Sequence, residues 1–371
     1  MEFKQSPVSK ARPGRMPWLR LHLTNLCNFN CPGCHVFKIS PNTVPATNMP
    51  YAIAEKAIIY FVNQMKKYLP REKEFYLSIY GGEPLLNRLV LYKLLENYSS
   101  NFQGIKANWI VNTNGSLLNK EDLKFFIPPG VDIHLSVDGK EAKHNKTRID
   151  KLGRKTFNRV MQAIDLIKEN DYPNLQFDSV ANPYELETMN EVIEVANDKG
   201  VRRIHFDLFY SPQYPQDFSL RDYSQKYAQA YNQGKERAIS IFSTPFSQIY
   251  SNLLQNVKIS PISGAFPTLE FFADGSFIFG ELPLIKPFDN LSNIEQDDVW
   301  NRRMKLLLEM EKENEMVCGQ CYLLPYCKGS MRRIFHYHTL TRENEDNICD
   351  IARETVRIFQ KNNFIPLGYA K

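Results

Sequence analysis

The chain has 371 residues, with 46 Lys and Arg against 41 Asp and Glu and a formal net charge of +5; this length suits one large domain beside a smaller one, each with an apolar core. Its basic excess falls partly in residues 4–20 and 140–155, without the interleaving of a nucleic-acid stripe, so nucleic acid is excluded as a partner. No apolar run approaches the ~20 residues needed to span a bilayer, and Pro7, Lys10, Arg12, Pro13 and Arg15 interrupt any signal-peptide core.

After a tail over residues 1–17, the apolar run 18–24 reads as a strand. Directly behind it stands Cys27-Asn-Phe-Asn-Cys31-Pro-Gly-Cys34, a C-x3-C-x2-C spacing. Iron–sulfur clusters are normally held by four Cys thiolates, so three on one tight loop can hold a cubane [4Fe–4S] cluster and leave one iron open to a small molecule. Zinc is the alternative. It would want a C-x2-C pair and a fourth ligand, and His35 follows too closely to complete a tetrahedron comfortably.

Further runs with β character lie at 74–80, 106–112, 132–137, 175–180 and 203–208. Helical periodicity covers 52–68, 86–98, 120–126, 156–169 and 185–199 between them. Six strands alternating with helices predict an α/β fold with a parallel sheet and helices outside. Because a closed TIM barrel needs eight, the expected form is a partial (β/α)6 TIM-like barrel over residues 18–215, with its chemistry at the C-terminal strand ends.

Those ends carry suggestive residues. Gly81-Gly82-Glu83-Pro84 follows the second strand; glycines let a backbone approach a ligand closely, and Glu83 offers an anionic acceptor for an ammonium group. Thr113-Asn114-Gly115 follows the third, and Ser136-Val137-Asp138-Gly139 the fourth, with His144, Asn145 and Arg148 on the expected next loop. Each could also be an ordinary turn before a helix. Their shared position after successive strands marks one rim.

These four motifs in this order resemble the radical S-adenosylmethionine superfamily over about residues 18–210. The resemblance implies that Cys27, Cys31 and Cys34 bind a [4Fe–4S] cluster whose open iron is chelated by the amino and carboxylate groups of S-adenosylmethionine. It further implies that Gly81, Gly82, Glu83 and Pro84 receive the methionine amine. Ser136 and Arg148 would contact carboxylate or ribose, and Asn114 is a further cofactor-binding candidate. One departure stands out: the residue before the third cysteine, commonly aromatic in the family and close to adenine, is Gly33 here, leaving Phe29 or Phe37 to substitute.

Residues 216–259, with amphipathic spacing over 223–252, read as a helical linker packing on both sides. Beyond it, Cys318-Gly-Gln-Cys321 and Cys327 are followed by a gap of 21 residues to Cys349. Four thiolates so spaced can close a site, and zinc is chemically acceptable there too. The segment Phe271-Phe-Ala-Asp-Gly275, with Leu291-Ser-Asn-Ile and Val299-Trp300, resembles the SPASM extension of peptide- and protein-modifying relatives, over about residues 260–350. By that resemblance the four cysteines hold an auxiliary [4Fe–4S] cluster with every iron ligated. A second auxiliary cluster lacks its cysteines, since Gly280 and Met331 stand in two of their places. Two clusters are therefore expected, the second in a small C-terminal SPASM/twitch-like iron–sulfur domain, with a helix and tail over 351–371.

The resemblance implies reductive cleavage of S-adenosylmethionine to a 5′-deoxyadenosyl radical that takes hydrogen from an unactivated carbon, the cofactor carrying the hard step. The expected substrate is a side chain of a ribosomally synthesised peptide, oxidised for example to a C–C cross-link (cyclophane). A formylglycine-generating anaerobic sulfatase maturase is the alternative, and a non-enzymatic iron–sulfur or zinc protein a second. Tyr210 and Tyr214, in the Pro-rich loop after the sixth strand, are candidates for a substrate wall. Glu281 stands where sulfatase-maturing relatives place a base, and could equally be a surface carboxylate. His336 and His338 read as surface or packing groups. The expected partners are the precursor peptide or protein and an electron donor such as flavodoxin or ferredoxin. Seven cysteines, split three and four, indicate metal use in a reducing, cytoplasmic setting and not a disulfide framework.

Overall fold

The computed structural model describes residues 16–32, 34, 46–98, 101–181, 185–208, 219–244, 246–256, 258, 268–279, 287–294, 299–327 and 342–362. Within them seven strands run parallel and side by side in chain order: β1 (Trp18–Thr24), β2 (Glu74–Gly81), β3 (Lys106–Thr113), β4 (Asp132–Ser136), β5 (Leu175–Ala181), β6 (Arg203–Leu208) and β7 (Ser240–Thr244). On the other edge β8 (Thr268–Phe271) lies parallel to β1, and β9 (Ser276–Phe279) and β10 (Asp289–Asn290) continue the sheet antiparallel.

Period-two alternation decides the two faces of this sheet. Leu19, Leu21 and Leu23 of β1 and Phe75, Leu77 and Ile79 of β2 are fully buried. They pack with helices that follow the strands: α1 (Tyr51–Tyr68), α2 (Arg88–Tyr98), α3 (Lys120–Phe126), α5 (Phe157–Glu169) and α6 (Thr188–Asp198), while α4 (Glu141–Thr147), in which only His144 is buried, follows β4 outside this core. In α1 the buried Ala54, Ala57, Ile58, Phe61, Val62 and Met65 recur at three- and four-residue spacing, one stripe of a 3.6-residue helix. Fully burying a side chain the size of Phe61 contributes roughly 1.5–3 kcal/mol, and repeated along each helix this clamps the helical layer to the sheet. The alternate positions, Arg20, His22, Ser78, Asn112, His134 and Asp178 among them, line the opposite, inner wall.

Three features depart from the sequence expectation. First, the stretch read as a helical linker contains α7 (Leu220–Glu236), strand β7 and α8 (Phe246–Leu254), so the parallel set numbers seven strands beside β8. At five residues, Ser240-Ile-Phe-Ser-Thr between two amphipathic helices is too short for its alternation to stand out. Second, His144 and Asn145 lie within α4, and Arg148 is its C-cap, not part of a loop. Third, the extension is joined to the barrel's own sheet through β8, in register from Trp18↔Thr268 to Leu21↔Phe271.

The C-terminal elements are α9 (Val299–Cys318), the one-turn α10 (Leu324–Cys327) and α11 (Arg342–Lys361). α11 packs along α7 and α8, where Thr355 Oγ1 donates to Ser224 Oγ at 3.1 Å and the Tyr250 hydroxyl donates to the Phe359 carbonyl at 3.1 Å. No helix among the described residues is long and apolar enough to cross a membrane.

Candidate functional site

The cysteine loop leaves β1 at Thr24, whose hydroxyl oxygen accepts from Leu26 N–H at 3.0 Å while donating to the Thr47 carbonyl at 3.1 Å. Cys34 N–H donates to the Cys31 carbonyl at 3.2 Å and closes the turn around Pro32. The segment after α4 braces the loop from the side: Asn30 N–H donates to the Ile149 carbonyl at 2.8 Å, and Phe29 pairs with Asp150 in an antiparallel bridge. Phe29 itself is buried, with the Arg159 guanidinium 5.7 Å from its ring centroid. It is part of the loop's own packing. Gly33, His35 and Phe37 lie outside the described residues.

Burial pushes the Cys27 thiol up to about 12, with Glu83 and the other two thiols adding to it and Phe29 N–H, 3.3 Å from Sγ, opposing. Burial also raises Cys31, while Arg148 pulls it down. Thiols in this state give up their protons to a metal centre, which deprotonates a coordinating thiol outright. The donor set, three thiols free of disulfides on one strand-end loop, fits a cluster held by three ligands.

The Gly-Gly pair serves the loop from beneath. Gly81 has φ +132°, at the break in register between β1 and β2. A Cβ there would lie 2.2 Å from the Thr24 carbonyl oxygen, and one on Gly82 would lie 2.1 Å from that of Leu26. The backbones touch because Gly82 N–H donates to Thr24 at 2.9 Å and Glu83 N–H to Leu26 at 2.8 Å. The close approach that needs glycine is therefore to the cysteine loop's own backbone.

Glu83 is fully buried, and its carboxylate accepts from the Thr113 hydroxyl at 2.7 Å, Asn114 N–H at 2.8 Å and Leu85 N–H at 3.1 Å. Burial pushes it up to about 7 against those donors. The side chain thus ties the ends of β2 and β3 together. Pro84 is likewise buried and starts the one-turn helix Pro84–Asn87. Asn114 belongs to the same brace. Its Nδ2 stands 2.9 Å from Asn28 Oδ1 and 3.9 Å from Cys27 Sγ, and its Oδ1 accepts from Ser116 N–H at 2.9 Å.

Arg148 is brought to the cysteines by a residue that motif reading treated as part of a turn. Asp138, buried beyond β4, accepts from Arg148 Nε at 2.7 Å and Nη2 at 3.3 Å, from Thr147 Oγ1 at 3.0 Å and from Ser179 Oγ at 3.2 Å. Although burial disfavours the charge on both groups, their pairing lowers Asp138 and raises Arg148, and the Cys31 and Cys34 thiols add to the latter. His144 Nδ1 accepts Asp138 N–H at 3.3 Å, and burial drives its imidazole down to about 4, so it stays neutral. Ser136 ends β4 beside Asp178 of β5. The only signal for the Asp138–Arg148 pair was opposite charge ten residues apart, a spacing that marks no local motif.

The second thiol set also gathers. Cys318 ends α9, and its carbonyl accepts Cys321 N–H at 2.8 Å; Cys327 ends α10, and Cys349 lies in α11. Burial pushes Cys349 up to about 12, and Cys327, Cys318 and Cys321 each add to the rise, so the four thiols share one neighbourhood. Arg353 Nη1 stands 3.9 Å from Cys321 Sγ. Among the described residues no three His, Cys, Asp or Glu side chains close on a single metal ion. Tyr210, Tyr214, Gly280, Glu281, Met331, His336 and His338 lie outside the described residues.

A parallel α/β partial barrel with three thiols at the end of its first strand defines the class to which the chain is compared. Residues 21–198 match the model of the Radical SAM superfamily, and this part of the chain is a radical SAM domain. The radical SAM cyclopropyl synthase TigE of Paramaledivibacter caminithermalis is 24% identical over 267 residues, which are 70% of this chain and 55% of TigE. The chain thus spans little more than half the length of that relative. A cysteine-type anaerobic sulfatase-maturating enzyme of Clostridium novyi is 22% identical over 365 residues, 92% of this chain and 94% of the relative. The solved structure of native anSMEcpe with bound AdoMet and Cp18Cys peptide superposes with a TM-score of 0.68 at 17% identity, covering 95% of this chain and 98% of that one, and shows the shared fold.

Proposed function

We propose that this chain is a radical S-adenosylmethionine enzyme that oxidises a side chain of a ribosomally synthesised peptide, giving a product such as a C–C cross-link. The observation that carries the reading is the pairing of two sets of free thiols in one chain, three at the end of β1 and four between Cys318 and Cys349. TigE, a cyclopropyl synthase, and anSMEcpe, solved with a bound peptide, support it as relatives. When bound, the cluster and S-adenosylmethionine supply a carbon radical able to remove hydrogen from an unactivated carbon, chemistry that no side chain offers.

The chain's residues take these parts in the reading. Cys27, Cys31 and Cys34 hold the first cluster, and Cys318, Cys321, Cys327 and Cys349 hold an auxiliary one. Backbone groups of Gly81 and Gly82 receive the methionine amine, since the Glu83 carboxylate is occupied by three internal donors. Arg148, steadied by Asp138, is the cation for a cofactor carboxylate, with Ser136 beside it. An electron donor such as flavodoxin or ferredoxin supplies reducing equivalents.

A second reading is favoured by one observation: the Clostridium novyi maturating enzyme matches this chain over nearly the full length of both. In that reading the product is formylglycine on a protein substrate. Anaerobically reconstituted enzyme, given the peptides encoded beside its gene or a sulfatase-type Cys peptide, separates the two by mass spectrometry. A cross-link removes hydrogen alone, whereas formylglycine from Cys also exchanges sulfur for oxygen. Absence of 5′-deoxyadenosine under reducing conditions would sink both.

A further inference from the structure

The interior of a closed parallel barrel is filled by layers of branched apolar side chains. Here the inner wall instead carries ionisable groups, whose desolvation makes them poor stabilisers compared with an apolar filling. Most of them are paired. Arg20 Nη1 lies 2.9 Å from Glu270, and His22 Nε2 lies 3.3 Å from the other oxygen of the same carboxylate. Arg203 Nη1 donates to Asp132 at 2.7 Å, and His134 Nδ1 lies 3.2 Å from Asp178, which also accepts from Gln176 at 2.8 Å.

Burial keeps His22 neutral by pushing it down, while for His134 the opposing burial is overcome by Asp178 and Asp132, which raise it to about 9. The wall of β1, β4–β6 and β8 then holds three cations, Arg20, Arg203 and His134, against four carboxylates, Glu270, Asp132, Asp178 and Asp207. Asp207 is the least engaged of the four carboxylates: its side chain is 46% exposed against 10–25% for the other three, and its contact with His205 Nε2 is long, at 3.6 Å. Asp207 lies at the C-terminal end of β6, the end at which the cysteine loop leaves β1. Tyr80 links the two regions, because its hydroxyl, held protonated chiefly by burial, also feels the Asp207 and Asp178 carboxylates and the Cys34 thiol.

We propose that Asp207 is a specificity residue of the substrate chamber, the counter-ion for a basic side chain, Lys or Arg, carried by the peptide at or next to the residue that is modified. The proposal deepens the peptide reading above and rests on it. Asp178 cannot take this part, since His134 and Gln176 already occupy it. An acidic substrate side chain would meet the exposed Asp207 carboxylate here, so the same residue selects against it.

The test uses the full apo protein with 15N-labelled histidine and two probes of equal length, N-acetyl-lysine methylamide and its norleucine analogue. The lysine probe should shift the His205 imidazole resonances saturably, and the norleucine probe should leave them in place. Asp207→Asn should weaken the lysine probe about tenfold, the low end for a charge-assisted hydrogen bond at a partly exposed site, and Asp207→Glu should restore most of it. Equal shifts from both probes, or none from either, overturn the proposal. So does a loss of S-adenosylmethionine affinity in the reconstituted Asp207→Asn protein with unchanged lysine-probe binding, which would give the carboxylate to the cofactor's sulfonium. Turnover separates this inference from the reading beneath it. Peptides oxidised equally well with Lys or norleucine remove the role of Asp207 and keep the function; lysine-probe binding with no peptide oxidised does the reverse.

Discussion

Gly81 offers a measurement of how tightly the cysteine loop is seated. Gly81 (φ +132°) and Gly104 (φ +88°) share a backbone conformation that L side chains rarely adopt, but their surroundings differ. A Cβ on Gly104 meets nothing within 4 Å, whereas one on Gly81 lies 2.2 Å from the Thr24 carbonyl oxygen and 3.2 Å from its nitrogen. Gly104→Ala should therefore cost only the backbone term, roughly 1–2 kcal/mol. Gly81→Ala should add an overpacking term of about 1–3 kcal/mol, because the atoms in the way are backbone and cannot rotate aside. Urea unfolding of the apo protein reads both costs, with an unchanged m-value confirming that the same structure is lost. In the Gly81 variant the displaced loop should also make the buried Cys27 thiol react faster with Ellman's reagent. Equal destabilisation by the two substitutions, with no change in thiol reactivity, would refute the claim that these backbones are in obligate contact.

The His134–Asp178 pair should make stability depend on pH. His134 is raised to about 9 in the folded chain from 6.5, so its contribution is fully present below pH 6.5 and is lost as pH rises through 9. Its size is on the order of 3 kcal/mol, and His134→Gln should flatten the urea-midpoint profile across that window. Asp178, lowered to about 2, keeps its contribution above its ordinary range and loses it only as pH falls through 2. Replacing Cys27, Cys31 and Cys34 together by Ala should abolish 5′-deoxyadenosine and remove about four of roughly eight irons per chain; near twelve irons before mutation, or one zinc with four irons, would contradict the two-cluster reading. Cys318→Ala with Cys321→Ala should spare much of the 5′-deoxyadenosine while oxidised peptide falls steeply. Native circular dichroism must accompany that result, since metal sites also hold small domains together; undiminished product from a folded variant would make the auxiliary site structural.

Local pattern was enough for much of the barrel. Leu19, Leu21 and Leu23 alternate with polar residues, and that period places β1 at Trp18–Thr24 without any knowledge of its neighbours. The three-cysteine loop was legible for a similar reason, because its thiols sit within eight residues of chain. β7 was not legible, since five residues at a sheet edge carry too little alternation to compete with flanking helices. The helix over Glu141–Thr147 was missed as well, being polar throughout, with only His144 buried.

The roles of charged residues divide along the same line. Sequence alone determined that Glu83 and Arg148 stand near the cysteines, because strand ends in a parallel barrel share one rim. Tertiary structure decided that Glu83 turns inward to three donors while Arg148 is held near Cys31 by buried Asp138. It decided too that Asp132, Asp178 and Glu270 are paired across strands far apart in the chain, leaving Asp207 the most exposed carboxylate of that wall. Whether a carboxylate is spent or available depends on desolvation and on donors brought within about 3 Å, and strand register, not neighbouring sequence, sets both.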